Sequence, residues 1–567
     1  MPSSTLSRPL LHRLLGRSLS AEELEQAVFR TKGEVSEVTE ETFRFEITSD
    51  RLDLLSESGL AFALAGVIGS AEGSDYHPGG APEPREHPLE VSVDSSVAPL
   101  RKEIRMAIVH APNGKPLDAD HLHELIRYQE ALHATLGANR ARGSLGLYPL
   151  AHLAPPFQYA MEGLDGIRFT PLPDEGSTTT EVSGIEFFDR HPMAAAYSPL
   201  GRRRGMALTL RDSAGHILSL PPILNAARYG ELAVGDSAIL IESTGTADVT
   251  CRQLVGYMLL PFVARGWRVN PVPVRRRSRV DTGSTVVGVR TLTMTPRQLA
   301  EVIGSRLETT EVTHALRRCR FHVTEARGGW TVTVPPWRPD LIGPVDLAEE
   351  VVVARGLASL EPVGTPPQTA GHRTPATRYF RKFLEVMVGM GYQEAHTPLL
   401  LPPTLSEHFT AAGTALTIAN PASQDFSVIR TALTPGLVEA LARNASGSYP
   451  QRLFEIAEVV VKDPAADTGT RTETHLALVD AGEGSGFARA AAVGEHLARV
   501  IGITPVREPA DAPGTISGRV AEMRFAGERV AILGEVHPRV LTELGIAEPV
   551  SWLELNLSLL WKLKGQD

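Results

Sequence analysis

Residues Val334–Gly356 read VPPWRPDLIGPVDLAEEVVVARG, and near the start of the chain Ser49–Gly69 read SDRLDLLSESGLAFALAGVIG. Both stretches pass through Arg-x-Asp-Leu into a helix-like segment that contains Leu-Ala. Upstream, Leu14-Leu15-Gly16 matches Val302-Ile303-Gly304, and each triplet leads through a short turn into apolar residues spaced three and four apart. An alternating stretch follows in each copy, FRFEIT in the first and WTVTV in the second, and reads as a strand. Asp53 then falls against Asp340, 287 positions later. Two copies of one small α+β module are the simplest explanation.

The alignment isolates a cluster of charge. The second copy carries Asp340, Asp346, Glu349 and Glu350, whereas the first has Gly59, Phe62 and Ala63 opposite the last three. The module therefore folds without these three acids. On a helix that begins near Asp346, positions 346, 349 and 350 share a face, and Asp340 on the preceding loop can approach it. Two readings stay open. Acids in a first helical turn are favoured by the helix dipole. Four carboxylates also suit a hard cation, magnesium above all, in a site that a partner chain could complete.

A chain of 567 residues is too long for one core and is expected to form three to five domains. Its 42% hydrophobic and 22% charged content is that of an ordinary globular protein. The two cysteines, Cys251 and Cys319, form no CxxC. They exclude a disulfide framework, speak against a structural zinc and fit a reducing, cytoplasmic location. The N-terminal apolar run is interrupted by arginines, so it does not read as a signal peptide. No long apolar run suggests a membrane span. A formal charge of −10 confines any nucleic-acid contact to local basic strips, GRRRG at Gly201–Gly205 and RGWRVNPVPVRRRSR at Arg265–Arg279. Solvated linkers are the other reading of those strips.

Composition divides the chain further. Residues 1–72 form the first module and 73–88 a Pro/Gly-rich linker. Residues 89–280 form a mixed α/β region whose clearest helix is HLHELIRYQEALHATLGANR. The acidic module spans 290–360, a second linker 361–375, and a C-terminal region 376–567. In the last region TRYFRKFLEVMVGMGYQE reads as a helix, RLFEIAEVVV and VAILGEV as strands.

Taken in order, these landmarks resemble the β subunit of phenylalanyl-tRNA synthetase in its short archaeal and eukaryotic-like form. The resemblance rests on SDRLDLLSESGLA, LHATLGANR, LSLPPILN, PPWRPDLIGPVDLAEE, GMGYQEAHT, IANPASQDFSVIRTALTPGLVEALARN, YPQRLFEIAEVV and ISGRVAEMRFAGERVAILGEVHPRVL. It implies an α+β multidomain fold: two related small modules, a mixed α/β editing-like domain and a class II synthetase-like antiparallel-sheet domain. It also implies an α2β2 heterotetramer with an α subunit that uses ATP to attach phenylalanine to tRNA(Phe). The chemistry belongs to α, so no residue of this chain is assigned a catalytic role there. The family's magnesium positions, shared with α, match Asp340, Asp346, Glu349 and Glu350. Glu350 stands where many members have Asp.

Two departures carry consequences. Class II synthetases hold ATP with an arginine from an R-x-x-E strand and another from a late G-x-G-x-x-R helix start. Here RLFE, Arg452–Glu455, resembles the first, but LGEVHPRVL, Leu533–Leu541, has a lone Gly534. The chain is therefore not expected to activate an amino acid alone, and Arg452 and Glu455 are expected to bond within their sheet. Editing is the second matter. A phenylalanine pocket rejects tyrosine poorly, so a separate site that hydrolyses Tyr-tRNA(Phe) is the remedy. The central region keeps the family-like Pro221, Pro222 and Asn225, but relatives commonly have Gly-Ile-His-Asp where this chain has GLYP, Gly146–Pro149. Tyr148 and Pro149 cannot reproduce a His-Asp pair, and His133 and His152 each read as structural. Editing stays open, as does the alternative of a divergent duplicate acting as a scaffold or as a resistance or tailoring subunit.

Overall fold

The computed structural model describes residues 2–78, 88–112, 115–173, 180–277, 279–360, 364, 370–411 and 413–565. In it the two copies of the repeat fold alike. The first runs through strand Ser3–Ser7, helices Arg8–Leu15 and Ala21–Phe29, strands Gly33–Val38 and Thr42–Ile47, and helix Glu57–Val67. The second follows the same order with Arg290–Met294, Pro296–Ile303, Thr309–Arg318, His322–Ala326, Gly329–Val334 and Pro344–Arg355. Each forms a three-stranded antiparallel sheet with its last strand in the middle. The offset of 287 residues recurs at the start of the first strand, the last strand and the last helix. Period-two alternation explains the match: Phe43, Phe45 and Ile47 are buried in one copy, Trp330, Val332 and Val334 in the other.

The copies pack on one another within the unit Met1–Val363. Gly66 is required at the contact, because a Cβ there would collide with the Arg318 carbonyl oxygen. Arg318 Nε donates to the Gly66 carbonyl (3.2 Å), and Arg30 Nη2 donates to the Ala354 carbonyl (2.7 Å). The Arg320 guanidinium lies 4.3 Å from the Phe62 ring centre, and Phe62 meets Trp337 edge-on.

The strands between the copies run from Val91 to Asp281 in two main sheets and a small antiparallel pair, Arg168–Phe169 with Val182–Ser183. One is a four-stranded antiparallel sheet ordered Arg268–Pro271, Glu103–His110, Ala238–Gly245, Gly143–Pro149. Helices Ala119–Ala134 and Asp248–Val263 pack against it. The second helix is buried along most of its length, as its apolar sequence demands. The larger sheet includes Phe157–Gly163, Met206–Arg211, Ile217–Leu220 and the short strand Leu224–Asn225. The linkers expected at 73–88 and 361–375 lie largely outside the described residues.

The second unit, Gly364–Asp567, is built on a seven-stranded sheet. Its central strands Gln451–Lys462, Thr470–Ala481, Val550–Asn556, Glu528–Val536 and Thr515–Phe525 are antiparallel. The short edge strand Gln393–Glu394 runs parallel to Leu453–Phe454. Separate apolar cores cover the two faces, one under helices Pro375–Gly389 and Phe487–Val500, the other under Thr434–Arg443. The helix and two strands expected here from the sequence are present. The whole is a mixed α/β, multidomain architecture. No helix among the described residues is long and apolar enough to cross a membrane.

Candidate functional site

In the acidic module the four carboxylates divide among separate tasks. Arg338, buried, donates from Nε and Nη2 to Asp340 (2.9 and 2.7 Å) and from Nη1 to Glu350 Oε2 (3.2 Å). Its Nη2 also lies 2.9 Å from Glu350 Oε1. Arg51, its counterpart in the first copy, forms the same fork on Asp53 (3.0 and 2.9 Å). Burial alone would raise the Glu350 carboxyl, but Arg338 and Arg51 hold it below the ordinary range, and the same pair does so for Asp340. Asp346 Oδ2 accepts from the backbone amides of Ile342 (2.6 Å) and Gly343 (2.8 Å), closing the helix start. Exposed Glu349 meets Lys32 of the first copy at 2.9 Å.

Buried Asp53 and Glu350 and half-buried Asp340 thus face two guanidiniums, and Lys32 Nζ, 3.8 Å from Glu350, adds a third cation that it shares with Asp50 and Glu349. Magnesium demands free oxygen ligands in near-octahedral array. Among the described residues no three His, Cys, Asp or Glu side chains gather as a cation site. The four acids singled out from the sequence do not converge within this chain: Asp340 and Glu350 turn to Arg338, Asp346 to the backbone amides of Ile342 and Gly343, and Glu349 to Lys32. The cluster is an ion-pair junction between the repeats. The expected basic strip is likewise engaged, with Arg265, Arg275 and Arg276 on Glu124, Glu90 and Glu103 at 2.7–2.8 Å.

A cavity of about 440 Å³ opens between helix Ala119–Ala134 and the strands Gly143–Pro149, Ile217–Leu220 and Leu224–Asn225. All four residues singled out from the sequence for editing line it: Tyr148, Pro221, Pro222 and Asn225. Leucines 122, 145, 147, 172, 220 and 224 supply apolar wall. Toward the exposed end, Arg140 donates to Glu130 (3.0 Å) and to the Ile223 carbonyl (3.0 Å). Asn225 Nδ2 donates to the Gly230 carbonyl (3.2 Å), and Gln129 Nε2 to the Leu145 carbonyl (2.9 Å).

The buried end is polar. Tyr148 Oη lies 2.8 Å from Ser219 Oγ and donates to Glu242 Oε2 at 3.1 Å. Glu242 is 2% exposed, and its Oε1 has no hydrogen-bond partner among the described residues. Burial pushes its carboxyl up to about 7, against the opposing pull of Tyr148 and Arg101. Sequence reading missed Glu242, although a lone acid inside the apolar strand Ala238–Gly245 was the available signal. His133 is structural as expected, since Nε2 accepts from the Leu145 amide (2.8 Å) and Nδ1 faces Glu130 (3.1 Å).

In the C-terminal unit the RLFE residues bond to neighbouring strands and loops. Arg452 Nε and Arg489 Nε both reach Asp480 Oδ2 (3.2 and 2.6 Å), and Tyr392 Oη donates to the same oxygen (3.2 Å). Buried Glu455 accepts from Arg430 Nη1 (2.8 Å) and Thr397 Oγ1 (2.6 Å).

Comparison with known proteins agrees along the chain. Residues 362–557 match the family described as the phenylalanyl tRNA synthetase beta chain CLM domain, and residues 292–357 match the tRNA synthetase B5 domain. The phenylalanine–tRNA ligase beta subunit of Aeropyrum pernix is 31% identical over 99% of both chains. That of Thermofilum pendens is 29% identical over 97% of both. A crystal structure of an N-terminal fragment of the phenylalanyl-tRNA synthetase beta subunit from Pyrococcus horikoshii superposes with a TM-score of 0.56 at 24% identity, covering 62% of this chain and 99% of the fragment, a likeness of fold. The chain belongs to the phenylalanine–tRNA ligase beta-subunit family.

Proposed function

We propose that this chain is the β partner in a cytoplasmic α2β2 phenylalanine–tRNA ligase, in which the α subunit carries out ATP-dependent activation of phenylalanine and its transfer to tRNA(Phe). The C-terminal unit is, in this reading, a class II synthetase-like core that has lost its nucleotide clamp. The pairing of Arg452 and Arg489 with Asp480, and of Arg430 with Glu455, carries the reading. Guanidiniums that stabilise a phosphoryl leaving group must be free to meet its charge. These are fixed on carboxylates. Similarity along the full length to ligase subunits favours this role over a scaffold or a tailoring duplicate.

The central cavity supports a second task, hydrolysis of a misacylated tRNA end. Its volume and apolar walls suit an aminoacyl side chain. The amides of Gln129 and Asn225, whose nitrogens donate to the Leu145 and Gly230 carbonyls, line the same cavity, where their oxygens can orient the ester and a water by hydrogen bonds. Hydrolysis here would use amide and carboxyl groups in place of the family's His-Asp pair, since Tyr148 and Pro149 occupy those positions. None of this requires a magnesium ion held by the four acids.

Mixing the purified chain with its α subunit tests the proposal. The two are expected to co-elute, and only the mixture is expected to charge tRNA(Phe) with phenylalanine. A chain that stays separate from α and adds nothing to charging contradicts it.

A further inference from the structure

The two arginine strips of the central region differ in what they meet. Arg265, Arg275 and Arg276 rest on carboxylates. Arg202, Arg203 and Arg204 of GRRRG form no ion pair among the described residues. Arg202 lies 5.2 Å from the Phe188 ring centre, and Arg203 Nη1 donates to the Pro99 carbonyl (2.9 Å). Arg203 and Arg204 are exposed. The strip is the end of a hairpin: Arg202 and Arg203 pair with Ala207 and Met206, which leaves Arg204 and Gly205 as a two-residue turn at φ 50° and 74°. A turn with positive φ at both positions ordinarily takes Asn, Asp or Gly. An arginine there bears a steric cost in its backbone, and no ion pair among the described residues offsets it.

This hairpin grows from the wall of the cavity. Met193 of helix Pro192–Gly201 lines the cavity, and Tyr197 on the same helix lies under the Arg140 guanidinium (4.7 Å). The helix ends at Gly201, where a Cβ would stand 2.9 Å from the Pro221 carbonyl oxygen and 3.0 Å from Ile223 Cδ1, two lining residues. At about 3.3 Å per residue, Arg203 and Arg204 reach about 7–10 Å beyond Gly201.

We infer that the hairpin tip, through Arg203 and Arg204, grips phosphates of the unpaired 3′ strand of tRNA beside the ester-bearing nucleotide and so holds the aminoacyl end at the cavity. This rests on the reading of the cavity as an aminoacyl-ester site. The ester sits on the terminal ribose, so the nearest phosphates of the strand follow within a nucleotide or two of the cavity. A chain with a formal charge of −10 has no general attraction for RNA, and local guanidiniums must supply it. A guanidinium fork with N–H donors to spare matches phosphate oxygens, whereas one already fixed on a carboxylate does not. That distinction selects GRRRG over the longer strip.

Single-turnover deacylation of tyrosyl-tRNA(Phe) by the full chain in complex with α tests this. Arg203→Ala combined with Arg204→Gly removes both guanidiniums, and glycine suits the positive φ, so the hairpin keeps its turn. The double variant is expected to raise the half-saturating enzyme concentration by about tenfold at about 0.1 M salt, with the maximal rate within about twofold. The log–log salt dependence is expected to flatten by about 1.4, the value for two single-strand phosphate contacts. Iodine footprinting of phosphorothioate tRNA(Phe) is expected to show 3′-terminal phosphates protected by the wild-type complex and released by the variant. If the wild-type complex deacylates and the variant keeps its half-saturating concentration and salt slope, the inference is overturned and the ester-site reading stands. A lower maximal rate at unchanged salt slope overturns it likewise, because the hairpin then shapes the cavity without holding phosphate. Protection lost elsewhere on the tRNA, with the 3′ end unchanged, also overturns it. A wild-type complex that fails to deacylate overturns the ester-site reading, and the inference falls with it.

Discussion

Replacing Arg338 with alanine is expected to destabilise the N-terminal unit by about 3–5 kcal/mol, among the largest effects of any single substitution in the chain. The change removes the fork that neutralises Asp340 and Glu350, leaving a buried and a half-buried carboxylate with Arg51 and Lys32 as the cations nearby. Uncompensated buried charge costs several kcal/mol even after local relaxation. Urea unfolding followed by tryptophan emission reads the loss directly, because Trp330 and Trp337 lie in this part of the fold and are buried. The double variant Arg338→Met with Glu350→Leu is expected to recover part of the stability, since it removes the more deeply buried of the two carboxylates that Arg338 neutralises. Chelating divalent ions should leave the wild-type transition where it is. A marked loss of stability on chelation would instead mean that a metal ion holds the junction.

In the C-terminal unit the largest pH effect is expected at His475. Its Nδ1 faces Glu554 Oε1 at 2.8 Å and its Nε2 faces Glu473 Oε2 at 3.3 Å. Burial works against the imidazolium, but the two carboxylates prevail and lift its pKa to about 9, while Glu473 falls to about 2. Glu554 is also tied to the backbone amides of Leu433 (3.0 Å) and Thr434 (3.1 Å), so the network pins helix Thr434–Arg443 to the sheet. The folded-state pKa lies above the ordinary value of 6.5. The stabilisation is therefore fully present below pH about 6.5 and is lost as pH rises through about 9, amounting to about 3 kcal/mol. Comparing wild type with His475→Gln isolates it. The gap in unfolding free energy is expected to be largest at about pH 5–6 and to shrink steadily as pH rises through about 9; a gap that is constant with pH contradicts the charged-imidazole reading.

The repeat was legible because it depends on local pattern. Alternation at Phe43-Phe45 and Trp330-Val332, helical spacing after each Arg-x-Asp, and a constant offset survive in a linear reading. The contacts of the acids within the chain did not. Spacing placed Asp346, Glu349 and Glu350 on a helix, but the partners that decide their chemistry come from elsewhere: Arg338 from the preceding loop and Lys32 from the other copy. Helical periodicity is blind to cations that arrive through tertiary packing. The central pocket was half legible. Pro221, Pro222, Asn225 and Tyr148 do converge, whereas Glu242 and Ser219 lie in apolar strands whose sequence reads as core.

The account depends on this chain's having no working nucleotide clamp of its own. Phenylalanine-dependent ATP–pyrophosphate exchange measures that property most directly. The purified chain is expected to exchange at background, and addition of the α subunit to bring exchange up to that of the assembled ligase. Exchange above background by the chain alone would contradict it.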